Sequence, residues 1–251
     1  MTEEGFLPIL KISAEKINSR AIVCGDPDRA GKIAERLDQS REISYNREYR
    51  LINGKRNGRP ITVASHGVGA AGAAVCFEEL IKGGAKELVR VGTAGSLDPE
   101  ITDGDIVIAT GAIREDGVSS QLVANAYPAI ADYSLVDTLA NTAEGLGYEP
   151  QTGIVLTVGA FYPELENLPS DYYSRTDAVA VEMEASILFL IASLNGVRAG
   201  GVMAIDGMAV DFDANSYDPH RDIVSEGKTK AIELAVKTLA GSKPRPKERG
   251  T

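Results

Sequence analysis

The sequence predicts an α/β fold: a single domain in three layers, with a mixed, largely parallel, twisted central sheet flanked by helices. Three observations lead there. Apolar runs short enough for strands alternate with helix-like segments along nearly the whole chain, the order that builds parallel strands joined by crossover helices. Strand-like runs end in glycine-rich or capped loops, as at Gly25-Asp26-Pro27-Asp28-Arg29 and Gly67-Val68-Gly69. With 251 residues and 43% hydrophobic content, the chain can bury one substantial core. The domain is expected to span residues 1–240, with residues 241–251 as a polar, disordered tail.

The first strand is Ala21-Ile22-Val23-Cys24. Asp26 can cap the helix that follows, Pro27 suits its first turn, and its buried face runs through Ala30, Ile33, Ala34 and Leu37. That leaves backbone donors at Gly25 and the Arg29 side chain near the strand end, placed for an anion or simply for solvent. Residues 42–64 read as strands joined by turns, one of them at Asn53-Gly54. A small-residue helix over 70–81 is closed by Gly83-Gly84. Glu87-Leu88-Val89-Arg90-Val91 is a buried strand, and Gly92-Thr93-Ala94-Gly95 follows as a loop. An arginine at the end of an apolar strand is costly to bury without an anionic partner. Phosphate held by Arg90, Thr93 and nearby N–H groups answers that demand, and so does a neighbouring carboxylate.

Further strands are expected over 104–113 and 153–158, with a helix over 134–146 between them. The strand Ala178-Val179-Ala180-Val181 ends in Glu182-Met183-Glu184, and a helix over 185–194 begins at once. Acids in a first helical turn suit the macrodipole. A carboxylate at Glu184 aimed into a cleft also suits a vicinal diol, with the Met183 thioether against the sugar's apolar face. The strand over 198–205 runs into Asp206-Gly207, and the last helix is expected over 219–239.

The formal net charge of -10 withholds the positive excess that nonspecific nucleic-acid binding uses. Cys24 and Cys76 sit in apolar runs, where buried thiols are expected instead of a disulfide, which points to the cytoplasm. Glu3 and Glu4 stand where a signal peptide would be basic, and no apolar run reaches membrane-spanning length. Of the two histidines, His66 is expected to make a structural hydrogen bond and His220 to start a helix. No residues stand at metal-ligand spacing, so no metal is expected.

Five motifs in order, Gly25-Asp26-Pro27-Asp28-Arg29, Asn46-Arg47-Glu48, Gly67-Val68-Gly69, Arg90-Val91-Gly92-Thr93-Ala94-Gly95 and Val181-Glu182-Met183-Glu184-Ala185, resemble the nucleoside phosphorylase superfamily over nearly the whole chain. That family holds uridine phosphorylases, hexameric purine nucleoside phosphorylases and methylthioadenosine phosphorylases, and the likeness is nearest overall to the first. The resemblance implies a phosphate-dependent pentosyltransferase that releases free base and forms (deoxy)ribose 1-phosphate, with inorganic phosphate as co-substrate and no cofactor. It implies that Gly25, Arg29, Arg90 and Thr93 bind phosphate, joined by Arg47 from a neighbouring subunit. Thr93, Glu182, Met183 and Glu184 would bind ribose, and Ala94, Gly95, Phe161 and Asp206 would face the base, with Arg90, Glu184 and Asp206 as catalytic candidates. The implied partners are nucleoside and phosphate, not nucleic acid or membrane, in a homo-oligomer: a hexamer built as a trimer of dimers with active sites shared across the dimer interface. A purine nucleoside or methylthioadenosine phosphorylase, a nucleosidase and a non-catalytic nucleoside-binding protein are the alternatives on the same fold.

Three positions depart from the family pattern. Many relatives carry an N-terminal histidine that reaches a neighbour's ribose 5-hydroxyl, and Phe6-Leu7-Pro8-Ile9-Leu10 contains none. Asp116-Gly117, Tyr127-Pro128-Ala129 and Phe161-Tyr162-Pro163 look like uridine phosphorylases, yet the glutamine and arginine that read uracil there fall on Leu165 and Asn167. Purine enzymes carry a Ser-Asp pair after the strand over 198–205, and Ile205-Asp206-Gly207 stands there instead with Asp206 displaced by about one position, where it either protonates a purine ring nitrogen or caps a turn.

Overall fold

The computed structural model describes residues 5–162, 169–210 and 217–242. A short hairpin, β1 (Phe6–Leu7) and β2 (Ile12–Ser13), leads into β3 (Arg20–Cys24) and α1 (Pro27–Ala34). Then come β4 (Asp38–Asn46), β5 (Tyr49–Arg56), β6 (Arg59–Ser65), α2 (Ala70–Lys82) and β7 (Glu87–Ser96). The second half holds β8 (Ile106–Glu115), β9 (Ala129–Ile130), α3 (Tyr133–Gly145), β10 (Gln151–Val158), α4 (Ser170–Tyr173), β11 (Ala178–Glu182), α5 (Ala185–Leu194), β12 (Arg198–Met208) and α6 (Asp222–Gly241).

Ten strands among the described residues form one mixed sheet in the order β11-β10-β8-β12-β7-β3-β6-β5-β4, with β9 on β8. The central strands β6, β3, β7 and β12 are parallel, so their carboxyl ends lie along one edge. β12 runs antiparallel to β8, and β11 returns to pair antiparallel with β7 through Val181↔Gly95, which closes β7, β12, β8, β10 and β11 into a barrel. Residues past Val181 therefore head back along β7 towards Arg90.

Alternation along the strands makes the three layers. Ile22, Val63, Val89, Val91 and Val202 share a core with α1, α3 and α6, whereas Ala21, Val23 and Leu88 share the opposite one with α2 and α5. Residues Ala185 through Ala192 of α5 are all buried, so this helix is apolar around its whole circumference and serves as an interior element.

Three expectations change. Gly92-Thr93-Ala94-Gly95 is not a loop: it continues β7 to Ser96, because β12 pairs with it residue by residue on one side and β11 on the other. The turn falls not at Asn53-Gly54 but at the second Asn-Gly pair, Asn57 and Gly58, with φ of 52° and 74°. Asn53 belongs to the β5–β6 ladder, where its side chain donates to the Lys16 carbonyl and accepts from the Thr62 hydroxyl, and the absent Cβ of Gly54 makes room for Leu37. The last helix starts at Asp222, three residues after the expected Pro219, because Lys228 Nζ and Arg221 Nε hold the preceding carbonyls of Pro219 and Asp218 outside the helical ladder. It runs to Gly241, and Ser242 is buried; residues 243–251 of the expected tail lie outside the described residues, as do Leu165 and Asn167.

At the amino ends of the central strands, Glu87 is 1% exposed and answers two arginines: Arg198 Nη2 donates at 2.7 Å and Arg20 Nε lies at 3.6 Å, with the Ser242 hydroxyl donating at 2.8 Å. Glu87→Ala leaves both guanidinium groups buried without their carboxylate, and is expected to lower unfolding stability by about 3–5 kcal/mol in urea titrations. A loss under about 1 kcal/mol, the scale of an exposed pair, would refute the buried-pair assignment.

Candidate active site

The antiparallel return of β11 beside β7 sets the centre of the site. Arg90 is 3% exposed, on the face of β7 that looks to α2 and α5. Its Nε donates to Glu182 Oε2 at 3.1 Å, its Nη2 lies 3.1 Å from the same oxygen, and Nη2 reaches Glu184 Oε2 at 2.5 Å. Burial opposes the arginine's charge, but Glu184 and Glu182 outweigh it and hold the guanidinium's pKa above its ordinary value. The guanidinium lies over Gly92, where a Cβ would stand 2.9 Å from Cζ. A neighbouring carboxylate is thus what answers Arg90 in the protein alone.

Glu182 is the anchor of the pair. Besides Arg90, its carboxylate accepts from the Thr157 hydroxyl at 2.6 Å and from the backbone N–H groups of Glu184 and Ala185, so it caps α5 from outside the helix. Ser186 extends this: its N–H donates to Thr157 Oγ1 and its hydroxyl to Asp116 Oδ2, which ties the first turn of α5 to β10 and to the residue after β8. Glu184 is the outward member. It accepts from Gly69 N–H at 2.5 Å, in the loop before α2, and lines a cavity of about 690 Å³ at the carboxyl edge of the central strands.

Residues expected to bind phosphate, Gly25, Arg29, Arg90 and Thr93, meet on this cavity, as do Glu182, Met183 and Glu184. Ala94, Gly95, Phe161 and Asp206 line it too. Arg29 is half-buried, with Nη1 3.4 Å from the Val91 carbonyl. Asp26 caps α1 as expected, accepting from Asp28 N–H at 2.8 Å. Arg47 is the exception: it is exposed in the β4–β5 turn with φ of 56° and lies outside this chain's own cavity.

Asp206 owes its position to a bulge. The β12–β7 register passes from Ile205↔Ala94 to Gly207↔Gly95, so one extra residue stands on β12 and Asp206 turns into the cavity. It is 6% exposed, and burial pushes its carboxyl pKa up, against hydrogen bonds from the Tyr217 and Thr93 hydroxyls that pull it down. Tyr217, whose O–H donates to Asp206 Oδ2 at 2.9 Å, also lines the cavity. Sequence reading passed over it, because an isolated tyrosine before Asp218-Pro219 carries no periodic or motif signal. His66 is fully buried beside Arg90: its Nδ1 lies 2.9 Å from the Gly67 carbonyl, its Nε2 3.5 Å from Arg90 Nη1, and its ring meets Phe77 edge-on. His220 is exposed in the turn before α6 and does not start that helix.

The family model described as the phosphorylase superfamily matches residues 19–240. The chain belongs to that superfamily. A purine nucleoside phosphorylase of Plasmodium falciparum is 40% identical over 225 residues, covering 87% of this chain and 91% of the relative. A uridine phosphorylase of Haemophilus influenzae is 36% identical over 231 residues, covering 86% and 89%. The crystal structure of purine nucleoside phosphorylase from Toxoplasma gondii in complex with immucillin-H superposes with a TM-score of 0.91 at 30% identity, covering 96% of this superfamily member and 97% of that chain.

Burial, then the neighbouring Arg90 charge, hold the His66 pKa well below 6.5. Long-range 1H–15N correlation spectra are expected to show His66 as the neutral Nδ1–H tautomer, without titration between about pH 5 and pH 8. A His66 resonance with a midpoint near the ordinary value would contradict its packing against Arg90.

Proposed function

We propose that this superfamily member catalyses phosphorolysis of a nucleoside, and that a purine is the base its site suits best. The single observation that carries the choice of base is Asp206: a buried carboxyl with a raised pKa, aimed into the cavity from a bulge in β12. A departing purine takes negative charge that a proton on its ring nitrogen removes, and a carboxyl kept protonated nearer neutral pH supplies that proton. A pyrimidine nucleoside is the second reading, supported by the 36% identity to the Haemophilus influenzae uridine phosphorylase.

In this reading a phosphate oxygen attacks the anomeric carbon while the bond to the base breaks. Charge of oxocarbenium character develops on the sugar, and the phosphate itself stabilises it. Arg29, Gly25 and Thr93 hold the phosphate, together with Arg90 Nη1, the edge of that guanidinium not committed to a carboxylate. Glu184 exchanges its Gly69 partner for the ribose diol, Met183 packs on the sugar, and Glu182 acts through Arg90 and α5. Arg47, exposed on its turn, completes the phosphate site of a neighbouring subunit in a homo-oligomer, with hexameric assembly as its proposed extent. No cofactor takes part, and the site of action is the cytoplasm. A nucleosidase would give half-buried Arg29, which meets the Val91 carbonyl at 3.4 Å, no anion to hold.

Inosine, guanosine, adenosine, uridine and thymidine incubated with and without phosphate distinguish these readings by release of free base and sugar 1-phosphate. Base release that is equally fast without phosphate would sink phosphorolysis. Asp206→Asn is expected to reduce kcat/KM for purine nucleosides by about 100-fold, the scale of general-acid catalysis; a variant as fast as wild type on inosine would remove Asp206 from the chemistry.

A further inference from the structure

Tyr217 is held to Asp206 by packing as well as by its one hydrogen bond. Its ring packs on the backbone of Gly207, where a Cβ would stand 3.2 Å from the ring edge, so the residue after the bulge must be small for the phenol to reach the carboxyl. Phe161 supports the ring from the cavity side, with centroids 5.7 Å apart and planes tilted by 56°. The chain beyond Tyr217 is tied to the same strand end. Arg221 Nη2 lies 3.4 Å from the Asp206 carbonyl, its guanidinium pairs with Asp103 at 2.6 Å, and Lys228 Nζ donates to the Pro219 carbonyl at 2.6 Å.

We infer that Tyr217 is a positioning residue for proton donation to the leaving base: its O–H fixes the Asp206 carboxyl and stabilises the carboxylate left when the proton departs. The inference rests on the purine reading of Asp206 above. As the bond from C1′ to the base breaks, its electron pair goes to the base, a phosphate oxygen bonds C1′, and the carboxyl proton moves to a purine ring nitrogen. Asp206 then becomes an anion. A hydrogen bond to an anion is stronger than one to the neutral acid, so the Tyr217 bond tightens along the reaction and favours the transition state over the ground state. Burial, then the Asp206 charge, push the phenol's own pKa up, which keeps it a donor at neutral pH.

Tyr217→Phe removes the O–H and keeps the ring. Steady-state kinetics on inosine and on 7-methylinosine, with phosphate, separate positioning from mere structure. The second substrate carries its methyl on the ring nitrogen and leaves as a neutral base without needing the proton. The expected result is a kcat for inosine lowered about tenfold. KM for inosine and all rates with 7-methylinosine should stay within about twofold of wild type. The limb on which inosine activity falls with rising pH should move to higher pH, because losing the Tyr217 donor raises the Asp206 pKa while the Thr93 hydroxyl and the Lys228 and Arg29 charges, which also hold it down, stay in place. In an Asp206→Asn background Tyr217→Phe should cost nothing more. Gly207→Ala, which displaces the ring and leaves the phenol intact, is the second variant should the first not fold, and should show the same preference for 7-methylinosine. Equal losses on both substrates, losses that multiply with Asp206→Asn, or unchanged inosine kinetics would overturn the inference. Wild-type protein that cleaves uridine but not inosine would instead overturn the purine reading, and this inference with it.

Discussion

The buried ion cluster of Arg90, Glu182 and Glu184 is the constraint on which the rest of the molecule depends. A guanidinium at 3% exposure is tolerable only with its donors matched, and both matching carboxylates come from one short stretch of chain. That stretch reaches Arg90 because β11 runs antiparallel to β7, a pairing that also closes the barrel. The cluster therefore ties the end strand β11 back to the central strand β7, caps α5 and fixes the direction of Glu184 in one arrangement. Gly92 belongs to it as much as the charged residues do, since any side chain there would occupy the space of the guanidinium.

Two carboxylates to one arginine leave the cluster with an excess of negative charge if all three are ionised. Burial, with the Glu184 charge, holds the Glu182 carboxyl pKa above its ordinary value, against Arg90, the Thr157 hydroxyl and the Glu184 N–H, which favour the ionised form. His66 contributes no positive charge, being held neutral against Arg90. Positive charge for an incoming anion must then come from elsewhere, and half-buried Arg29 after β3 stands at that end of the cavity. The phosphate site as proposed thus draws on side chains beyond the cluster, which gives the proposed arginine from a second subunit its physical purpose.

Asp206 sits in a different setting from the acids on Arg90. It is a buried acid on a β-bulge, among the Tyr217 and Thr93 hydroxyls and aromatic rings, with the Arg29 and Lys228 charges acting on its carboxyl and Arg221 Nη2 3.4 Å from its backbone carbonyl. Burial raises the Asp206 carboxyl pKa against those hydroxyls and charges, while Glu184 is paired directly with Arg90.

What the sequence determined by itself was local. The alternation of apolar runs, the Asp26-Pro27 start of α1, and the motif residues Gly25, Arg29, Arg90, Thr93, Met183 and Glu184 were legible because each stands in a local pattern, whereas Asp206 was legible only as an acid at a strand end that the bulge against β7 then turned into the cavity. The family resemblance was legible for the same reason, since its motifs keep their order and spacing. The tertiary structure alone decided the choice between two Asn-Gly pairs, settled by cross-strand partners of Asn53, and the extension of β7 through Gly92-Thr93-Ala94-Gly95, settled by β11 and β12. It also decided that Glu182 would anchor and Glu184 would face the cavity, though the two acids stand two residues apart with the same chemistry. Tyr217 is the clearest case: its meaning lies wholly in an Asp206 brought to it by a bulge and in a glycine that lets its ring approach. Spacing along a chain records helices, strands and caps, whereas contacts between distant segments are selected by packing and by the pairing of buried charge, which no local pattern encodes.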